Sequence, residues 1–198
     1  MLSLVKLFIN FNQNCEKMEE LIRLAKQIKD EELRKKVMEF LKNPEPSHPE
    51  FKKHGKTEFK KVKTLFTTSY GTVIRDAYHH TITLTKLCIK TAKILEENYK
   101  VEVDLDSLIA GALLHDLMKS YEWLLEDEVP KPSDILLDHT MLITAELYHR
   151  KFPEKVIHLV ASHFGPSGPT PPRTLEAFIL HSLDSFLSMV EANLAFLK

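Results

Sequence analysis

Cysteine is nearly absent: Cys15 and Cys88 are the only two in 198 residues and show no C-x-x-C spacing. Neither a disulfide framework nor a thiolate zinc site is indicated, and a reducing cytoplasm is the expected compartment. Glycine is scarce too, with five residues and no Gly-rich phosphate loop. H-E-x-x-H and G-x-S-x-G are both missing, which removes zincin and α/β-hydrolase chemistry. Neither sign of charge is in excess: 27 Lys and Arg face 28 Asp and Glu, so no global field favours nucleic acid. Long apolar runs are lacking as well. The apolar start, Met1 to Phe11, is too short to span a bilayer, is interrupted by Lys6 and carries no signal-peptide cleavage pattern. It reads as a short packing segment, and no membrane partner is expected.

Hydrophobic residues make up 43% of the chain, enough for one globular domain with a sizeable core. They recur at helical spacing, as in Leu21, Ile22, Ala25 and Ile28 and then Leu33, Val37 and Leu41. The fold class is therefore all-α. Breaks fall at the Pro-rich stretch 43–49, at Asp127 to Ser133 and at Gly165 to Thr170. Between them the spacing predicts two helices over 15–42, a short helix near 58–66 and a long helix over 73–98. Further helices are expected over 105–123, 134–151, 153–164 and 174–197, with Ser133 and Thr174 as N-caps and Pro153 at a first helical position. One local run is basic: Lys52, Lys53, Lys56, Lys60, Lys61 and Lys63, opposed only by Glu58. It is either a solvated face or a track for phosphates.

The most informative feature is His115-Asp116 inside an apolar stretch, Leu108 to Leu117. Burying a carboxylate beside an imidazole is costly unless both are paired or bind a cation. Helical geometry sorts the other histidines. His80 shares a face with Leu84 and Leu87, whereas His79 falls with Thr83 and Lys86. His163 lies with Val156, Leu159 and Val160, His139 with Ile135, Leu136, Leu142 and Ile143, and Asp184 with Leu180 and Leu187. Singly, each such histidine is readily a hydrogen-bonded core residue. Together, His80, His115, Asp116, His139, His163 and Asp184 come from five helical segments, and a mixed imidazole and carboxylate set suits manganese, iron, nickel, cobalt or zinc. Magnesium is a further candidate.

At these residues the chain resembles the HD superfamily of metal-dependent phosphohydrolases, whose order is a histidine, then His-Asp, optional histidines and a late aspartate. The matching pieces are His80-Thr81, Leu113 to Lys119, Asp138-His139, Ala161-Ser162-His163 and Ile179 to Asp184. Within the superfamily, Ala161 to Gly165, Pro171-Pro172, Glu176-Ala177 and Leu180-His181, with Ile28-Lys29-Asp30 upstream, are similar to YhaM-like 3′→5′ exoribonucleases. The OB-type domain of those enzymes has no counterpart here. Met118 replaces a small residue, and Phe164 replaces the second histidine of the usual His-His-Gly.

The resemblance implies an HD-domain helical bundle over 67–198 with an N-terminal helical extension over 1–66, the two forming one compact unit. It also implies one or two divalent ions. His80, His115, Asp116 and Asp184 would hold one, and Asp116 would bridge to a second held by His139 and His163. A hydroxide activated there would attack phosphorus, with Asp116 and Lys119 as catalytic residues; Lys119 is either against a substrate phosphate or a surface lysine at a helix end, and His181 is either behind Asp184 or, the reading favoured, packed in the ordinary way. The expected function is phosphohydrolase or phosphodiesterase action on nucleotides or short RNA. The alternatives are a catalytically degenerate nucleotide- or partner-binding module, and a purely structural use of the histidines.

Overall fold

The computed structural model describes residues 17–68 and 71–196, so the Met1–Phe11 segment and Cys15 lie outside the described residues. Along the described residues run eight α-helices, two β-hairpins and three 3-10 turns. The first helices, α1 (Lys17–Ala25) and α2 (Glu31–Lys42), pack on each other and on the helical body. Asp30 caps α2 by accepting from Leu33 N at 2.8 Å, which satisfies one orphan donor of the first turn. The Asp106 carboxylate accepts from Lys29 N and Asp30 N at 2.9 and 2.8 Å. Leu21, Ile28, Val37 and Phe40 share one core with Ile109, Leu113 and Ile143.

The region expected as a helix over 58–66 is instead a 3-10 turn, Phe59–Lys61, followed by a hairpin of β1 (Lys63–Thr68) and β2 (Gly71–Asp76). Thr64, Thr67, Thr68, Thr72, Val73 and Ile74 are β-branched and favour a pleated surface. Burial alternates accordingly, Thr64 and Val73 in and Leu65 and Ile74 out. The long helix α3 (Ala77–Tyr99) therefore starts four residues later than the periodicity suggests. Its cap is Asp76, which accepts from His79 N at 2.8 Å.

α4 (Leu105–Leu114), capped by Asp104, is buried from Ser107 to Leu114 and lies centrally against α1, α2, α3, α7 and α8. It does not run to residue 123. After Leu114 the bonds shorten to Leu117 N on Leu114 O and Lys119 N on Asp116 O. Then come α5 (Lys119–Glu122) and a second hairpin, β3 (Trp123–Glu126) with β4 (Val129–Pro132). Asp127 and Glu128, at φ 49° and 64°, make its two-residue turn, and a positive φ at both central positions matches the twist of the strands. What looked like a Pro-rich loop is this hairpin, because proline is tolerated in edge strands. α6 (His139–His149) begins at Asp138, which accepts from Met141 N at 2.8 Å. Ser133 is not a cap, and Leu136, expected inside, is 96% exposed.

α7 (Glu154–Ala161) follows Pro153, which sits one position before the helix. α8 (Leu175–Leu194) is capped by Thr174, accepting from Ala177 N at 3.2 Å. The fold is thus helical, with only two small strand pairs among the described residues. No described helix is long and apolar enough to cross a membrane.

Candidate metal centre

The structure brings five of the six expected ligands, His80, His115, Asp116, His139 and His163, into two donor sets near helix ends, while Asp184 lies midway along α8 beside His80. α4 is almost wholly apolar, and its last carbonyls have no partners within the helix. His115, the next residue, donates from Nδ1 to Ala112 O at 2.9 Å. α7 ends in the same way, with His163 donating from Nδ1 to Val160 O at 2.7 Å. A carbonyl can only accept, so both protons sit on Nδ1 and both Nε2 lone pairs are left for a ligand. His139, the first residue of α6, is held by Glu122, whose Oε2 lies 2.8 Å from Nδ1. His80 sits one turn into α3, its Nδ1 2.9 Å from Glu191 Oε2 and its Nε2 2.9 Å from Asp184 Oδ1.

Asp116 stands between these imidazoles, 1% exposed. Its Oδ1 is 3.3 Å from His139 Nε2, and its Oδ2 is 3.4 Å from His115 Nε2 and 2.8 Å from Lys119 Nζ. Two sets of donor atoms, His80, His115 and Asp116 in one and Asp116, His139 and His163 in the other, each lie within 4.8 Å of one another. Asp184 joins neither tight set and reaches the first through His80. The fit to a cation can be tested from within. His115 Nε2 and His139 Nε2 are buried with no hydrogen-bond partner among the described residues, an arrangement that is costly unless something electrophilic accepts the lone pair.

Electrostatics divide the imidazoles. Burial would lower the pKa of His80 and His139, but the carboxylates of Asp184 and Glu191 beside the first, and of Asp116 and Glu122 beside the second, raise both. For His163 burial dominates, reinforced by the charges of His115 and His139, and its pKa falls to about 3. Burial would raise Asp116 and Asp184, yet the His115 and Lys119 charges hold Asp116 well below the usual carboxylate range, and the His80 hydrogen bond does the same for Asp184.

Other expectations are revised. Lys119 is not a surface lysine: it is 6% exposed and ion-paired with Asp116. His181 does not stand behind Asp184, since its Nδ1 donates to His163 O at 2.9 Å. His79 is exposed. In the basic run, Lys53, Lys56 and Lys63 lie 2.6, 2.7 and 2.9 Å from Glu50, Glu45 and Glu128. Lys60 and Lys61 flank Glu58, and Lys52 is exposed. Sequence reasoning missed Glu191 and Glu122, the carboxylates behind His80 and His139. Glu191 was detectable, because seven residues after Asp184 it returns to the same helix face. Glu122 gave no such signal, as the chain turns between α4 and α5.

Residues 77–189 match the family model described as HD domain. The chain is also 50% identical over 171 residues to the dihydroneopterin 2′,3′-cyclic phosphate phosphodiesterase of Methanocaldococcus jannaschii, across 84% of this chain and 67% of that protein. No solved structure matches. Neither match carries the finer likeness to exoribonucleases. The domain match and the related phosphodiesterase agree with the buried imidazole and carboxylate cluster: this chain belongs to the HD-domain family and is a metal-dependent phosphohydrolase, acting on phosphoester bonds.

Proposed function

We propose that this chain is a phosphodiesterase that opens 2′,3′-cyclic phosphates of the pterin type, the substrate class for which its Methanocaldococcus relative is named. The observation that carries this reading is a pair of buried donor sets sharing one carboxylate, Asp116, in a chain half identical to that relative. His80, His115 and Asp116 would hold one divalent ion, with Asp184 completing the set from beside His80. Asp116, His139 and His163 would hold a second. Such ions supply Lewis acidity toward phosphoryl oxygens and make water a competent nucleophile at neutral pH.

The chain's own residues do the rest. The Ala112 and Val160 carbonyls and Glu122 fix the proton on the outer nitrogen of His115, His163 and His139, so each ring presents Nε2 inward. Opening a cyclic diester turns a monoanion into a dianionic monoester. Lys119, whose ammonium stands 2.8 Å from Asp116, places positive charge where that second negative charge develops.

The test is incubation of metal-loaded protein with dihydroneopterin 2′,3′-cyclic phosphate, nucleoside 2′,3′-cyclic phosphates and short RNA, followed by phosphorus NMR. Formation of the pterin monoester ahead of the other products is expected. No turnover of any cyclic phosphate with manganese, iron, nickel, cobalt, zinc or magnesium would reject the reading, and tight binding without turnover would replace it by that of a binding module.

A further inference from the structure

We propose that Phe164 is the platform on which the heteroaromatic ring of the substrate stacks, and so sets specificity for a ring-bearing cyclic phosphate. The inference rests on the substrate class proposed above and adds the residue that recognises it. Phe164 immediately follows His163, and their ring centroids are 4.5 Å apart with planes inclined by 38°. The His139 ring meets it edge-on, at 5.4 Å and 85°. Both imidazoles belong to the donor set that shares Asp116, so the phenyl ring borders the place where a phosphate would sit.

Its exposure is unlike that of its surroundings. Phe164 is 43% exposed, whereas His163 and His139 are 2% and 4% exposed. A phenyl ring has neither donor nor acceptor and offers only area and a π face. Left in water at the rim of a polar site, that area gains most from a flat apolar partner. Base–aromatic stacking is favourable and tolerant of which heterocycle is stacked.

The platform is also held still. Gly165 adopts φ +65°, its N–H donates to Ser162 O at 2.8 Å, and a Cβ there would lie 2.1 Å from the His181 ring. His181 in turn donates to His163 O. The backbone on either side of Phe164 is thereby fixed against α8. In a neopterin 2′,3′-cyclic phosphate a single carbon separates the ring from the carbons bearing the phosphate. A ring whose phosphate occupies the donor sets must therefore lie close beside them, where Phe164 stands.

The experiment compares the metal-loaded full chain with Phe164→Leu and Phe164→Trp on dihydroneopterin 2′,3′-cyclic phosphate and on glycerol 1,2-cyclic phosphate, which has no aromatic ring. Phe164→Leu is expected to raise KM for the pterin substrate about tenfold with kcat little changed. It leaves KM for the non-aromatic substrate as it was, and Phe164→Trp retains the preference. Equal changes on both substrates, or none on either, overturn the proposal. A second readout is independent of turnover: quenching of neopterin 3′-monophosphate fluorescence on binding, strong with the parent chain and lost in Phe164→Leu. If the protein hydrolyses neither substrate yet quenches in a Phe164-dependent way, the proposed activity fails and the stacking site stands. If the pterin monophosphate does not bind, or binds both forms alike, the stacking site is rejected.

Discussion

Gly111 on α4 and Leu159 on α7 meet so closely that a Cβ at position 111 would lie 2.9 Å from Leu159 Cβ. Each stands four residues before a site histidine, His115 and His163, whose ring centroids are 5.2 Å apart at 77°. The absent side chain therefore sets the gap between two imidazoles one helical turn further on. Gly111→Ala is expected to cost about 1–3 kcal/mol through overpacking, offset by about 1 kcal/mol of helix propensity. Metal-loaded protein should lose more stability than stripped protein in urea titrations, because the histidines are pushed apart.

Asp116 and Lys119 form a buried ion pair, so removing one strands the other. Asp116→Ala should destabilise the metal-free protein by about 3–5 kcal/mol and abolish metal uptake at both donor sets. Adding Lys119→Met should restore much of the stability but none of the metal. Urea unfolding and elemental analysis of the single and double variants check both parts, and metal retained by Asp116→Ala would remove Asp116 from the site.

Metal uptake should release protons at neutral pH. His80 and His139 have raised pKa values, so in the metal-free protein their charged forms persist above the ordinary value of 6.5, and only neutral imidazole binds a metal. The stability those protonated histidines contribute is fully present below 6.5 and is lost as pH rises through their folded values. His163, at about 3, has the opposite sign: its contribution is present above 6.5 and is lost as pH falls toward 3. Calorimetric titration with manganese in buffers of different ionisation enthalpy should show net proton release and affinity rising with pH. No dependence on buffer would contradict the assignment of His80 and His139 as ligands.

The basic run should matter little to a small substrate. Lys53, Lys56, Lys60 and Lys61 pair with exposed carboxylates, and such pairs are worth about 0–1 kcal/mol each. Changing all four to Ala should leave kcat/KM on a cyclic phosphate within about threefold. A loss of tenfold or more would revive the phosphate track.

Helix periodicity made α3, α7 and α8 legible, together with the inward faces of His80, His163 and Asp184, because burial on one side of a helix repeats in the sequence. The two hairpins escaped notice. Their strands are four to six residues long, and short apolar runs do not separate strand from helix. The break after Leu114 was hidden for a different reason: residues 108–117 read as one apolar helix, while the turn that brings Asp116 against Lys119 is made by backbone bonds. Long-range partners such as Lys63 with Glu128 leave no trace in local spacing.

The acidic residues of α8 fall at 176, 184 and 191; the last two are nearly two whole turns apart, and the first lies about 80° round the helix from the second. Glu176 accepts from Asp104 N at 2.8 Å, Asp184 meets one nitrogen of His80, and Glu191 meets the other. The helix is thereby indexed in rotation and in translation, like a shaft fixed by three keys. Lengthening it by one residue between Glu176 and Asp184 would swing one end about 100° relative to the other and uncouple the cap of α4 from the histidine at the centre. The same insertion in the loop over 166–173, before the first key, would leave all three engaged.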